Sequence, residues 1–199
     1  MDESRIDSSK LKGLAPAGAG LSPLRAMMAR HILLPLLARS LSFDFALGRF
    51  VKEGERIAAL AEGVEEKLLF KRVLVPPLFG LEENSRYYSV AMVLQHLLDV
   101  GSALQARIPK LSRGEKPPKA VRIEDYKPYT DIDADIILRY RRFVAGFRPA
   151  LLQTLGDTEA PHTHAHPWFG ELNPKGWMVM GMVHQIVHRR QIEAILRRL

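Results

Sequence analysis

The sequence predicts an all-α protein, an up-and-down four-helix bundle with an extra helix ahead of it. Three observations carry this. Long stretches place apolar residues three and four apart, the period of a helix that buries one face. Helix start and stop signals fall where those stretches begin and end. Strand patterning is almost absent, with Val73-Leu74-Val75 the one short extended piece. The 199 residues suffice for one well-buried domain and argue against two.

The elements follow in order. Residues 1–21 are rich in Ser, Gly and Ala and read as a mobile tail ahead of a single domain over 22–199. Ser22-Pro23 is an N-cap followed by a first-turn proline. The extra helix, 22–40, carries Leu24, Met27, Met28, His31 and Leu34, with a break or kink near Pro35. The bundle occupies 43–199. Its first helix, 43–62, spaces Phe43, Ala46, Phe50, Ile57 and Ala61 helically, weakened slightly by Gly48 and Gly54. Ser89 caps a second helix over 89–108, with Val93, His96, Leu97, Val100 and Leu104 on one face. Residues 109–130 hold four prolines and read as a long connection. A third helix starts near Asp131, where Asp133 and Asp135 suit its positive end, and stops at Gly156 with a possible kink at Pro149. After a loop over 157–172, Asn173-Pro174 opens the last helix.

Composition removes several function classes. There is no cysteine, so disulfides, thiolate metal sites and cysteine nucleophiles are excluded. Any transition-metal site must use His, Asp, Glu or water. The formal net charge is +7, which attracts anions. Its basic residues are scattered: Arg107, Lys110, Arg113, Lys116, Lys119, Arg122 and Lys127 in or beside the linker, and Arg189, Arg190, Arg197 and Arg198 on the last helix. Neither group interleaves with aromatics, so both read as solvated basic faces rather than a nucleic-acid site. The most apolar run, 32–38, is too short to span a bilayer and contains Pro35. The first twenty residues do not resemble a signal peptide, and the expected location is cytoplasmic. No glycine-rich phosphate loop or Gly-x-Ser-x-Gly elbow occurs. The di-iron bundle type needs two Glu-x-x-His pairs on helices, and Glu159-Ala160-Pro161-His162 falls in a loop.

The candidate chemistry lies in three histidines. His184 and His188 stand four apart on the last helix, so their side chains share a face one turn apart. His96 sits on the apolar side of another helix. Two imidazoles at i and i+4 can grip one metal ion, and a third from a facing helix can complete a three-histidine site with an open position. The alternative is a set of hydrogen-bonded core histidines. Gln191, about a turn beyond His188, is positioned to bond a ligand or bound water, or is an ordinary boundary glutamine. Asp99, three residues after His96, is the candidate to orient that imidazole, or is a solvated carboxylate. His162, His164 and His166 alternate in what reads as a polar loop near the open end of the bundle, where His166 could contact substrate. Trp168 and Phe169 read as a plug joining that loop to the core.

The run Tyr88-Ser89-Val90-Ala91-Met92-Val93-Leu94-Gln95-His96-Leu97 resembles the second-helix signature of the DinB/YfiT-like superfamily. The run His184-Gln185-Ile186-Val187-His188-Arg189-Arg190-Gln191-Ile192 is similar to that superfamily's last-helix motif, and His166-Pro167-Trp168-Phe169-Gly170 to the loop of one branch. The resemblance covers roughly residues 43–199. It implies the family's four-helix bundle. It also implies that His96, His184 and His188 ligate one divalent transition metal: zinc, nickel or iron. Chemistries in the superfamily include transfer of low-molecular-weight thiols and thiol-dependent isomerisation. The expected function is therefore a metal-dependent transferase or hydrolase that activates a thiol or water towards a small substrate, in a homodimer. The alternative is a non-enzymatic bundle, a dimerising or partner-binding module with a structural metal or a polar histidine core. An enzyme needs an open cavity beside the histidines. A module needs a closed core and an exposed apolar patch, with residues 24–38 the candidate.

Overall fold

The computed structural model describes residues 13–16, 27–117, 120–129 and 131–199. Most of the expected tail lies outside these residues, as do Ser22-Pro23 and Leu24. Among the described residues there are six helices: α1 (Leu34–Ser40), α2 (Phe43–Glu62), α3 (Glu66–Leu69), α4 (Val90–Ser112), α5 (Ile136–Leu152) and α6 (Pro174–Leu196). Two small antiparallel ribbons pair β1 (Val73–Leu74) with β2 (Tyr87–Tyr88) and β3 (His164–His166) with β4 (Gly170–Leu172).

Two of the expected caps make bonds: Ser89 Oγ accepts from the Met92 amide at 3.2 Å and Asn173 Oδ1 from Gly176 at 2.9 Å. Ser42, not singled out from the sequence, also caps its helix, accepting from the Phe45 amide at 3.1 Å. Each satisfies an amide that a helix start leaves orphaned. The proline signals play out differently at two places. Near Pro35, where a break or kink is expected, the helix changes type, with a π-helical turn over Ala29–Leu33 leading into α1. Pro35 falls in the first turn of α1, where a missing N–H costs least. α4, expected to end at residue 108, runs three residues beyond Pro109, and Ser112 Oγ donates to the Pro109 carbonyl at 2.8 Å near the helix end. The third bundle helix begins at Ile136 rather than near Asp131. Asp135 occupies its N-cap without a side-chain capping bond.

α6 packs against α2 and α4, and α5 packs against the same two helices. Helices consecutive in sequence, α2 with α4 and α5 with α6, therefore lie across the bundle from each other. The N-terminal half of α6 is apolar nearly all round, as a helix enclosed by neighbours must be: Trp177, Met178, Val179, Met180 and Met182 are all buried. The core forms two apolar clusters. In α4 the changeover falls between Leu97 and Leu104, and in α6 between Met182 and Val187. His96 and His184 lie at or beside that junction.

One buried acid ties the bundle together. Glu53 of α2 is fully buried and pairs with Arg49 at 3.0 Å, Arg56 at 2.9 Å and Arg189 of α6 at 2.5 Å. One residue further on, α2 approaches α5 at Gly54, where a Cβ would stand 2.8 and 3.0 Å from the two methyls of Val144. Valine is stiff in a helix and cannot swing aside. Gly54→Ala should gain about 1 kcal/mol of helix propensity and lose about 1–3 kcal/mol to overpacking. The expected outcome is a lower urea midpoint, and an unchanged or higher one would refute this packing account.

α1 lies against α6. Among the described residues of the expected stripe, only Leu34 is buried; Met27, Met28 and His31 are exposed, as are Ile32 and Leu36. Among the described residues, no single helix is long and apolar enough to cross a membrane.

Candidate metal centre

His96 on α4 faces His184 and His188 on α6, because those two helices are packing neighbours. The ring centroids stand 5.0 Å apart for His96 and His184, 4.6 Å for His96 and His188, and 4.4 Å for His184 and His188. One ring nitrogen from each lies within 4.8 Å of those of the others. His96 Nε2 and His184 Nε2 are 3.1 Å apart. Two nitrogens bound to one zinc ion at 2.0–2.1 Å and a tetrahedral angle stand about 3.3 Å apart. The donor set therefore fits one transition-metal ion.

Two of the rings are held from behind. His96 Nδ1 donates to the Tyr126 carbonyl at 2.6 Å. His188 Nδ1 donates to Gln191 Oε1 at 2.7 Å, and Gln191 Nε2 donates to the Ser85 carbonyl at 2.7 Å. Both acceptors are carbonyl oxygens, so each Nδ1 carries the proton and each Nε2 keeps its lone pair. Gln191 is fully buried and thus has a defined place in the arrangement. Asp99 does not take the orienting role on His96: the Tyr126 carbonyl holds that nitrogen, while Asp99 accepts from Gln95 at 3.0 Å.

Enclosure also keeps His184 and His188 uncharged. Desolvation, followed by the neighbouring His188, His96 and His166, holds His184 well below the ordinary imidazole range. His188 is lowered to about 4, chiefly by desolvation; the Gln191 bond opposes this and the Lys127 charge adds to it. Neutral imidazole is the form that ligates a metal.

The two loops that supply the carbonyls are clasped to each other. Lys127 pairs with Glu82, and both side chains are buried. Ser85 Oγ joins them, donating to Glu82 Oε2 at 3.3 Å and standing 3.3 Å from Lys127 Nζ. The Glu82 loop thus presents Ser85, and the Lys127 turn presents Tyr126. The solvated reading of Lys127 is overturned here, and that of Arg107 likewise, since its side chain is buried over the Trp177 ring.

Beside the histidines lies a cavity of about 140 Å³. α4 and α6 form its floor, and a wall is added by Leu33 of the π-helical turn with Leu34 and Leu37 of α1. The β3–β4 ribbon covers one end with His166, Trp168 and Phe169. The segment read as a polar loop is thus a strand pair whose His166 is buried. His166 stacks on Phe169 at 4.6 Å, and its Nδ1 accepts from the Trp168 amide at 3.1 Å. Desolvation, with a smaller contribution from Arg107, lowers its pKa to about 3.

The sequence profile of the DinB superfamily matches residues 42–192, a span holding all three histidines and both flanking loops. The chain belongs to the DinB superfamily. A solved structure similar to this DinB chain is that of TT2238, described as a four-helix bundle protein. It is 21% identical over 77% of this chain and 98% of its own, with a TM-score of 0.52. That likeness speaks for the fold alone. No curated protein matches the chain.

Proposed function

We propose that this DinB protein is a metal-dependent enzyme in which His96, His184 and His188 hold one divalent transition metal: zinc, nickel or iron. The supporting observation is the convergence of three imidazoles on one cavity, two of them with Nδ1 fixed by carbonyl acceptors. When bound, such an ion supplies Lewis acidity, easing loss of a proton from a thiol or water that attacks a small electrophile. The chain's own groups do the rest. The Tyr126 carbonyl and Gln191 fix the orientation of two rings. Their neutral state leaves the charge of an ion uncompensated. The apolar walls from α1 and the β3–β4 ribbon limit water and favour a substrate with an apolar body.

Elemental analysis of untagged protein tests this, beside His96→Ala and His188→Ala. The expected result is about one transition-metal ion per chain, lost in both variants. No metal after dialysis against zinc and nickel would overturn the proposal. A second reading, a polar histidine core in a binding module, is favoured by one distance. The 3.1 Å between His96 Nε2 and His184 Nε2 is also that of a hydrogen bond. The exposed apolar side chains Met27, Met28, Ile32 and Leu36 would be its contact face. That reading expects a metal-free protein that sediments as a dimer.

A further inference from the structure

Arg107 lies on α4 eleven residues after His96, three turns and about 16 Å of rise along the same face. Helical side chains lean towards the N-terminus, so Arg107 leans towards the histidines. It is 8% exposed, and its guanidinium carbon stands 4.6 Å from the centre of the Trp177 ring. Trp177 lies on α6, seven residues before His184. The two helices that carry the histidines therefore also carry this pair, two to three turns away.

Arg107 and Trp177 both line the cavity beside the histidines. Arg107 Nε and Trp177 Nε1 are buried, and neither has a hydrogen-bond partner among the described residues. A buried guanidinium whose Nε lacks a partner is costly, as is a buried indole N–H with none. A third donor lies beside them. His166 is 5.5 Å from Trp177 between ring centroids, and its Nδ1 accepts a backbone amide, which leaves the proton on Nε2. The surrounding cavity wall is apolar, with Leu104, Val121, Phe169 and Met180.

We propose that Arg107 and Trp177 form a carboxylate-binding subsite, which holds a small substrate of apolar body by its single carboxylate and extends the remainder towards His96, His184 and His188. Arginine matches a carboxylate in geometry and charge, and the indole N–H adds one directed donor. One cation and two neutral donors balance a single negative charge. A phosphate dianion would leave charge and oxygens unmatched. The direction of the substrate rests on the metal-site reading; the subsite itself does not.

Phenylacetate and its uncharged isostere phenylacetamide, titrated calorimetrically into the full chain, provide the test. The expected result is saturable binding of phenylacetate, with phenylacetamide about 10–100-fold weaker. Arg107→Gln should weaken phenylacetate by a similar factor, and Arg107→Lys should recover part of the loss. The acid–amide comparison uses native protein alone, so it holds even if the variants fold poorly. Phenylacetate should bind equally to chelator-treated protein and to His188→Ala. Equal binding of acid and amide, an unaffected Arg107→Gln, or no saturable binding of the acid overturns the subsite. Loss of acid binding on chelation, with Arg107→Gln unaffected, also overturns it and leaves the metal reading standing. A metal-free protein that still prefers the acid sinks the metal reading and supports the subsite.

Discussion

Lys127→Met is expected to destabilise the fold by about 3–5 kcal/mol, the cost of leaving the buried Glu82 carboxylate without its cation. On the proposed metal reading it is also expected to weaken zinc binding by about 10–100-fold, the usual penalty for disturbing groups that orient metal ligands. The coupling follows from the clasp. Tyr126, whose carbonyl holds His96, is the residue before Lys127. Ser85, whose carbonyl anchors Gln191 and through it His188, bonds Glu82 by its hydroxyl. Releasing Lys127 frees both orienting carbonyls at once. Urea unfolding reads the first effect and zinc titration the second. Arg122→Met, at an exposed pair with Glu124, is the control and should change stability by less than about 0.5 kcal/mol. A destabilised Lys127→Met with native zinc affinity would separate the clasp from the site.

This layer explains why the site was only partly legible in the sequence. His184 and His188 announce themselves through spacing, since i and i+4 share a helix face wherever the helix goes. His96 needs α4 to neighbour α6, a fact of packing, and here the periodic apolar faces and the motif resemblance both point the right way. The orienting groups carry no such signal. Tyr126 and Ser85 act on the two rings through backbone carbonyls, which every residue possesses, from segments that read as a connection and as an unassigned stretch. Arg107 and Lys127 carry a misleading one. Their charge suggests solvent, and only tertiary partners, the Trp177 ring and Glu82, make burial tolerable.

The fold shows the same division. Caps at Ser89 and Asn173 depend on bonds between residues three apart, and they lie where sequence places them. Prolines are read less well because their cost depends on context. Pro35 is accommodated by the π-helical turn ahead of it, and Pro109 lies in the last turn of its helix. Gly54 reads as a weakness in α2 when propensity alone is weighed. In the structure it is the point at which α2 and α5 close on each other.

Acidification of the metal-free protein from pH 7 to pH 5 is expected to cost about 4 kcal/mol of stability from two histidines alone. His188 and His166 are 4% and 8% exposed, with folded pKa values lowered to about 4 and about 3. Their unfolded value is about 6.5. Between those limits the unfolded chain binds protons that the folded chain refuses, so stability rises with pH across the window and falls as pH drops through it. At pH 5 each group lies about 1.5 pH units into the window, worth about 2 kcal/mol apiece. His184, lowered in the same direction, adds to the loss. His166→Phe keeps an aromatic ring against Phe169 and removes one titrating group, so it should remove about 2 kcal/mol of the pH 7 to pH 5 difference in urea unfolding. Equal stability of the metal-free chain at pH 7 and pH 5 would mean that these imidazoles reach solvent when charged, and with that the account of desolvated, uncharged histidines would fail.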